Sequence, residues 1–182
     1  MNTLIALHNG VFERIDRISG FLLPTLARFT FAAVLLVYYW SSALTKVGPG
    51  LLGLLRPSDG AYVQIFPRAM EAVSYDVSQL GMLHWLVVLA GMWAEFLLPL
   101  LVVIGLFGRL AALGMIGFIC VQSATDVTGH GMTDADTLGA WFDRFPDSVI
   151  LDQRLLWITV LAIIVVKGAG PLSVDRLLGR LS

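Results

Sequence analysis

Four long apolar runs dominate the chain, and its polar residues gather almost entirely between them. Such runs read as transmembrane helices, because about 20 apolar residues suffice to cross a hydrocarbon core. The first is expected from Leu22 to Leu44. Pro24, which lacks an N–H, suits its opening turn, and Tyr38, Tyr39 and Trp40 fall near the far interface. The second runs from Met82 to Phe107, with Trp85 near one interface and Arg109 beyond the other end. Only Gly108 and Arg109 separate it from the third, Leu110 to Thr125, so a tight hairpin joins the two. At about 16 residues, or roughly 24 Å, the third is short and needs polar ends or local bilayer thinning. The fourth spans Leu155 to Gly170, with Lys167 free to snorkel and Gly170-Pro171 as its stop. Gly105, Gly108, Ala111, Ala112, Gly114 and Gly117 provide small surfaces for close helix approach.

Between the first two runs, Gly48-Pro49-Gly50, Pro57-Ser58-Asp59-Gly60 and Pro67 forbid one straight helix. The semi-apolar pieces Tyr62 to Phe66 and Met70 to Leu80 either lie flat on the membrane or dip in and return. Between the last two runs the chain is acidic. Thr133 and Asp136 have capping-box spacing ahead of Leu138, Trp141, Phe142 and Phe145, which predicts a short amphipathic helix at the interface. The expected fold is an all-α membrane protein, one domain, with a tilted four-transmembrane-helix bundle and short surface helices in the outer loops 46–80 and 126–152.

Composition agrees. Of 182 residues, 57% are hydrophobic and only 14% charged, with a mean hydropathy of +0.81. A water-exposed globule of this size cannot hide so much apolar side chain. The formal charge of −1 excludes a general basic footprint for nucleic acid. The lone Cys120 excludes an intrachain disulfide, a CxxC pair and a thiolate cluster, and is expected to be a buried structural residue. Glu13, Arg14, Asp16 and Arg17 precede the first run, which ends without a small-residue cleavage site, so it is expected to be retained rather than removed as a signal peptide.

An even number of spans puts both termini on one side. That side carries Arg14, Arg17, Arg109, Lys167, Arg176 and Arg180. The loop between the last two spans holds Asp126, Asp134, Asp136, Asp143, Asp147 and Asp152 against Arg144 and Arg154. The positive-inside rule then places the termini in the cytoplasm, although Lys46, Arg56 and Arg68 on the far side moderate the asymmetry.

Glu95 is the strongest chemical signal. A carboxylate near the centre of a span costs a few kcal/mol, so it must face protein, pair or stay protonated. Pro99, four residues on, cannot donate to the Glu95 carbonyl, which marks a bend at the same place. His84, Val88, Gly91 and Glu95 share a helix face, which turns His84 and Glu95 inward but about 16 Å apart, too far for one metal. Candidate roles for Glu95 are proton handling, a quinone site shared with His84, or a structural interhelical hydrogen bond. Arg28, one turn inside the first span, either anchors at the near headgroups or acts inside the bundle. Asp126 and His130 are spaced i,i+4, and with Asp134 they form a candidate divalent-metal ligand set or an ordinary polar loop. Lys46, Asp152 and Arg154 lie at the same level and are available to pair with those acids. The spans contain no haem-ligating histidine pair, and the chain has no nucleotide fingerprint and no iron–sulfur motif.

Several pieces together resemble the DoxX family of small bacterial membrane proteins, from Leu26 to Leu178. They are Leu26-Ala27-Arg28, Ser42-Ala43-Leu44-Thr45-Lys46, Ala94-Glu95-Phe96, Gly105-Leu106-Phe107-Gly108-Arg109-Leu110-Ala111-Ala112, and Gly168-Ala169-Gly170-Pro171-Leu172-Ser173-Val174-Asp175. The resemblance implies a four-helix protein of the bacterial inner membrane. It also implies an accessory role in a redox or metal-handling system, since relatives include the small subunit of a thiosulfate:quinone oxidoreductase. The stretches Asp126 to His130, Ala140-Trp141-Phe142-Asp143 and Leu151-Asp152-Gln153-Arg154 are similar to a branch associated with small metal-binding peptides. On this reading Glu95, Arg28 and Lys46 are the candidate catalytic residues, quinone or a divalent metal the cofactor, and a membrane or periplasmic redox or metal-handling protein the partner. Two other readings stay open. One is a transporter or export component, with Glu95, Gln122, Ser123 and Thr125 lining a path in a homo-oligomer, at the smallest a dimer. The other is a non-catalytic anchor or assembly factor for a soluble partner.

Overall fold

The computed structural model describes residues 2–179; Arg180, counted above among the basic residues, lies outside them. The chain is all-α, and among the described residues the sole β feature is an isolated bridge between Val47 and Pro57. Helix α1 (Asn2–Phe31) passes through a π-helical turn, Ala32–Leu36, into α2 (Val37–Lys46). Two short helices follow, α3 (Asp59–Ile65) and α4 (Pro67–Ala72), and then the long helices α5 (Met82–Ile104), α6 (Gly108–Ala124) and α7 (Arg154–Lys167), with the single turn α8 (Val174–Leu177) last. Four helices are long and apolar enough to cross a bilayer: Leu4–Lys46, Met82–Ile104, Gly108–Gly129 and Val149–Lys167. The protein is therefore a multi-pass, four-helix membrane protein. Its outer surface carries Phe29, Val34, Val37, Leu44, Leu83, Leu110, Leu113, Val121, Leu156 and Val166, the side chains a lipid solvent accepts.

The bundle closes on one apolar core of Ala27, Phe31, Leu35 and Tyr39 from the first rod, Val102 from α5, Ala111, Ala112, Met115 and Ile119 from α6, and Leu161 and Ile164 from α7. A smaller cluster lies under the outer loop. There Ala61, Tyr62 and Met70 pack on Val88 of α5, and Trp85 and Trp93 donate their indole N–H groups to the carbonyls of Leu55 and Leu54. Trp93 lies about 16 Å along α5 from its start, so residues 50–55 run down beside that helix.

Several boundaries differ from expectation. Pro24 does not open a helix; it sits inside α1, which begins twenty-two residues earlier at Asn2. Membrane helices tolerate an internal proline when neighbours compensate, and here the buried Pro24 ring seats on Gly170, where any Cβ would come within 2.8 Å of its Cγ. The third span is not short, because a π-helical turn at Thr125–Gly129 carries α6 past Asp126. The fourth starts earlier, in a matching π-helical turn at Val149–Gln153, and the second and fourth end earlier than expected, at Ile104 and Lys167. No helix forms over Thr133 to Phe145. Gly139 and Phe142 adopt positive φ (76° and 66°), which breaks the segment into turns and leaves Trp141, Phe142 and Phe145 exposed. Tyr39 is not interfacial but fully buried among Phe118 and Trp157. Cys120 is exposed on the surface of α6 rather than buried.

Candidate functional site

At one end of the bundle three helix termini meet. Helix α5 stops at Gly105, whose φ of +68° suits glycine, and whose place a Cβ would take to 2.6 Å from Ser173 and 3.0 Å from Ala169. The terminal carbonyls need donors, and Arg28 supplies them. Its guanidinium donates to the carbonyls of Val102 and Val103 at the end of α5, and to Ala169 and Leu172 after α7. The opposite problem, orphan N–H groups at the start of α6, is met by Asp175. Its carboxylate accepts from the amides of Phe107 and Gly108, both at 2.8 Å, while its own amide donates to the Gly105 carbonyl. Arg28 therefore does not snorkel to the headgroups. It is turned into the bundle and closes helix ends.

The second polar cluster lies within the span region. Glu95, near the midpoint of α5, is buried with Lys46 from the end of α2, both at about 5% exposure or less. Lys46 Nζ lies 2.9 Å from Glu95 Oε2 and 3.1 Å from Oε1, and donates to Ser42 Oγ at 2.8 Å. The Ser42 hydroxyl in turn donates to Glu95 Oε1 at 3.3 Å. Lys46 thus pairs with Glu95 and not with the outer acids. Beside the pair, Trp40 donates its indole N–H to the Phe96 carbonyl, just before Pro99 removes a donor from the helix ladder. Mutual attraction in a medium of low dielectric, plus the two hydrogen bonds through the Ser42 hydroxyl, offsets the cost of burying the pair.

On the same face of α5, Val88 is buried, and a Cβ at Gly91 would come within 3.2 Å of Ile65. His84, further along, sets its ring edge-on to Phe66 at 4.9 Å, and its buried Nδ1 has no partner. His84 and Glu95 are thus both turned inward, as their spacing predicts, and the structure joins Glu95 to Lys46 and Ser42 rather than to His84.

The outer residues separate. Asp126 forms an ion pair with Arg154, which also donates to Ser123 at 2.9 Å. The His130 ring bonds the Gln64 carbonyl at 2.9 Å. Asp134 accepts from the Thr137 amide at 2.9 Å, and Thr137's side chain and amide hold its carboxyl below the usual range. Asp126, His130 and Asp134 are therefore engaged separately, and no group of three histidine, cysteine, aspartate or glutamate side chains gathers as metal ligands among the described residues. Asp152 bonds Ser148, not the acids of its loop. Gln122 links Tyr38 to Tyr39, and Ser123 receives Arg154, so both cross-link helices. Arg154–Asp126 was legible as a pairing at one level. Asp175, with no charge inside a span to flag it, is absent from the candidate residues of the sequence, and its signal is the Ser173-Val174-Asp175 capping pattern, which enters there only as a piece of the family resemblance. No family model matches the chain, and neither a curated protein nor a solved structure matches it.

Proposed function

We propose that the protein is an accessory subunit of a quinone-linked redox or metal-handling system of the bacterial inner membrane, in which Glu95 handles a proton. The buried Lys46–Glu95–Ser42 cluster is the observation that carries this reading. Ionisable groups inside a span are expensive and mark proton or substrate paths more often than packing. Reduction of a quinone consumes two electrons and two protons. A bound quinone would supply the electron-accepting chemistry, with electrons from a partner subunit or its cofactor; Glu95 would hold and release a proton beside it, and Lys46 would balance the charge of the carboxylate when that proton leaves. The DoxX resemblance supports the same assignment. The basic residues at the end of the bundle shared by Arg28, Arg109 and Lys167 support an orientation with both termini in the cytoplasm and the acidic loop outside. Any metal handling falls to a partner, since Asp126, His130 and Asp134 are engaged elsewhere.

The test is the quinone content of protein purified from native membranes. Wild type is expected to retain quinone, and Glu95→Gln and Ser42→Ala to retain less while keeping full helical content. Unchanged quinone content in a folded Glu95→Gln protein would remove Glu95 from the reading. One observation favours a second reading, an anchor for a soluble partner: Trp141, Phe142 and Phe145 stand exposed beside Asp143 and Asp147. Alanine at those three aromatics should abolish recovery of a partner that tolerates Glu95→Gln.

A further inference from the structure

Helices α1 and α2 with their π-helical joint form one rod from Asn2 to Lys46. At 1.5 Å per residue it is about 65 Å long, roughly twice the hydrocarbon thickness of a bilayer. The length from Arg28 to Lys46, about 27 Å, already matches one crossing. All other long helices end at the level of Arg28, because its guanidinium reaches the last carbonyls of α5 and those just after α7. Residues 4–18 therefore extend beyond the bundle, and all of them except Gly10 are exposed.

This extension is amphipathic, and the direction of its apolar stripe is informative. At about 100° per residue, Leu4, Leu7, Val11, Ile15, Ile18 and Leu22 fall on the same side of the rod as Leu26 and Phe29, which face lipid. Asn9, Glu13, Asp16 and Gly20 fall on the side of Pro24, Ala27 and Phe31, which are buried in the bundle. The stripe on the extension is thus a continuation of the lipid-facing surface. His8 is the titratable residue within it, and its ring rests on Phe12 at 4.5 Å.

The means of bending is present at the boundary. Pro24 cannot donate to the Gly20 carbonyl, and its ring crowds that carbonyl, which opens a helix on the proline side and tips it away from the proline. Pro24 is on the bundle side, so the extension tips outward, toward lipid. A Cβ at Gly20 would meet nothing within 4 Å, so no packing resists the movement. An outward tilt lays the concave side of the rod on the membrane, and that side carries the apolar stripe. Glu13, Asp16 and Arg17 then face water.

We infer that residues 2–20 form an in-plane amphipathic helix seated on the lipid bilayer surface at the termini end of the bundle, hinged at Gly20–Pro24. Self-association through the same stripe would need the rod to stand upright in water with its apolar side away from the bundle axis, and the proline opens it the other way. The occupant is the bilayer, the same solvent that covers Leu26 and Phe29 one turn further on.

The test uses full-length protein with Cys120→Ala, reconstituted into vesicles of phosphatidylcholine with a minority of phosphatidylglycerol. Single cysteines at Val11, Ile15, Asn9 and Glu13, all exposed and distant from the core, receive nitroxide labels. Accessibility to oxygen relative to a water-soluble nickel chelate should be several-fold higher at Val11 and Ile15 than at Asn9 and Glu13. Equal access of the nickel chelate at all four positions means a rod projecting into water and overturns the inference. Spin–spin broadening confined to Val11 and Ile15 means a helix pair between two copies and also overturns it. Pro24→Ala gives an independent check: with the bundle still folded, the oxygen preference at Val11 should fall.

Discussion

The two buried polar clusters solve different problems with similar residues. At the termini end, Arg28 and Asp175 direct their charges at backbone groups, four carbonyls in one case and two amides in the other. Within the span region, Lys46 and Glu95 direct theirs mostly at each other. A charge aimed at backbone cannot be replaced in concert with its partner, because the carbonyl remains whatever the sequence. A charge aimed at another side chain can. The first arrangement is a fastening of three helix ends, and the second is an exchangeable pair, which is why the proposed proton-handling role is assigned to Glu95 and not to Arg28.

Arg28→Met gives the largest expected effect. It strands acceptors at the ends of α5 and α7, each worth about 1–3 kcal/mol when buried and unpaired. Because the Leu172 carbonyl faces water, the expected loss is about 4 kcal/mol rather than the full sum. Unfolding by SDS titration in mixed micelles, followed by circular dichroism, measures it, and no second substitution near Asp175 should restore the loss. A loss below about 1 kcal/mol would mean that lipid headgroups or water already satisfy those carbonyls.

Lys46→Met comes next, at about 3 kcal/mol, because it leaves Glu95 buried without its partner. The contrast with Arg28 lies in the double variant. Lys46→Met with Glu95→Leu should recover most of the stability, since an apolar pair of similar volume commonly equals a buried ion pair, while quinone content stays low. If the double variant loses as much as the two single changes summed, the pair is not an independent unit and the comparison fails.

How much of this was legible depends on whether the signal was local. The apolar runs defined four helices because a bilayer imposes its thickness on composition. Glu95 stood out because a charge inside such a run is conspicuous without any neighbour. Its partner did not, since Lys46 lies 49 residues away and belonged by position to the outer rim. Pro24 was misread because proline marks a first turn equally well, and only Gly170, from the far end of the chain, makes an internal position comfortable. Asp126 was misread as the end of a span because its charge is neutralised by Arg154 from the next helix. The capping pattern at Thr133 failed for a local reason, the positive φ at Gly139 and Phe142, which glycine permits but Phe142 does not announce.

Gly105→Ala probes the fastening without removing a charge. The left-handed backbone costs an L-residue about 1–2 kcal/mol, and the new Cβ would press on Ser173 and Ala169. The expected loss is about 2 kcal/mol in the same titration. It should add to Lys46→Met, at the other cluster, and fail to add to Arg28→Met, whose guanidinium carbon also approaches that position.

The Arg154–Asp126 pair lies between the two extremes and predicts the smallest effect. Arg154 places one nitrogen on Asp126 and one on Ser123, two separate partners rather than a fork on a single carboxylate, and its Nε is buried with no acceptor. Arg154→Lys gives up one hydrogen bond but also removes that orphan donor. Each is worth about 1 kcal/mol and the signs oppose, so stability should change by less than about 1 kcal/mol. Asp126→Asn keeps the orphan and weakens the counter-charge, for an expected loss of about 2 kcal/mol. If instead lysine proves the more damaging change, the planar guanidinium itself holds the two π-helical turns together, and this outer pair belongs with the backbone-directed fastening of Arg28 rather than with the exchangeable pair at Glu95.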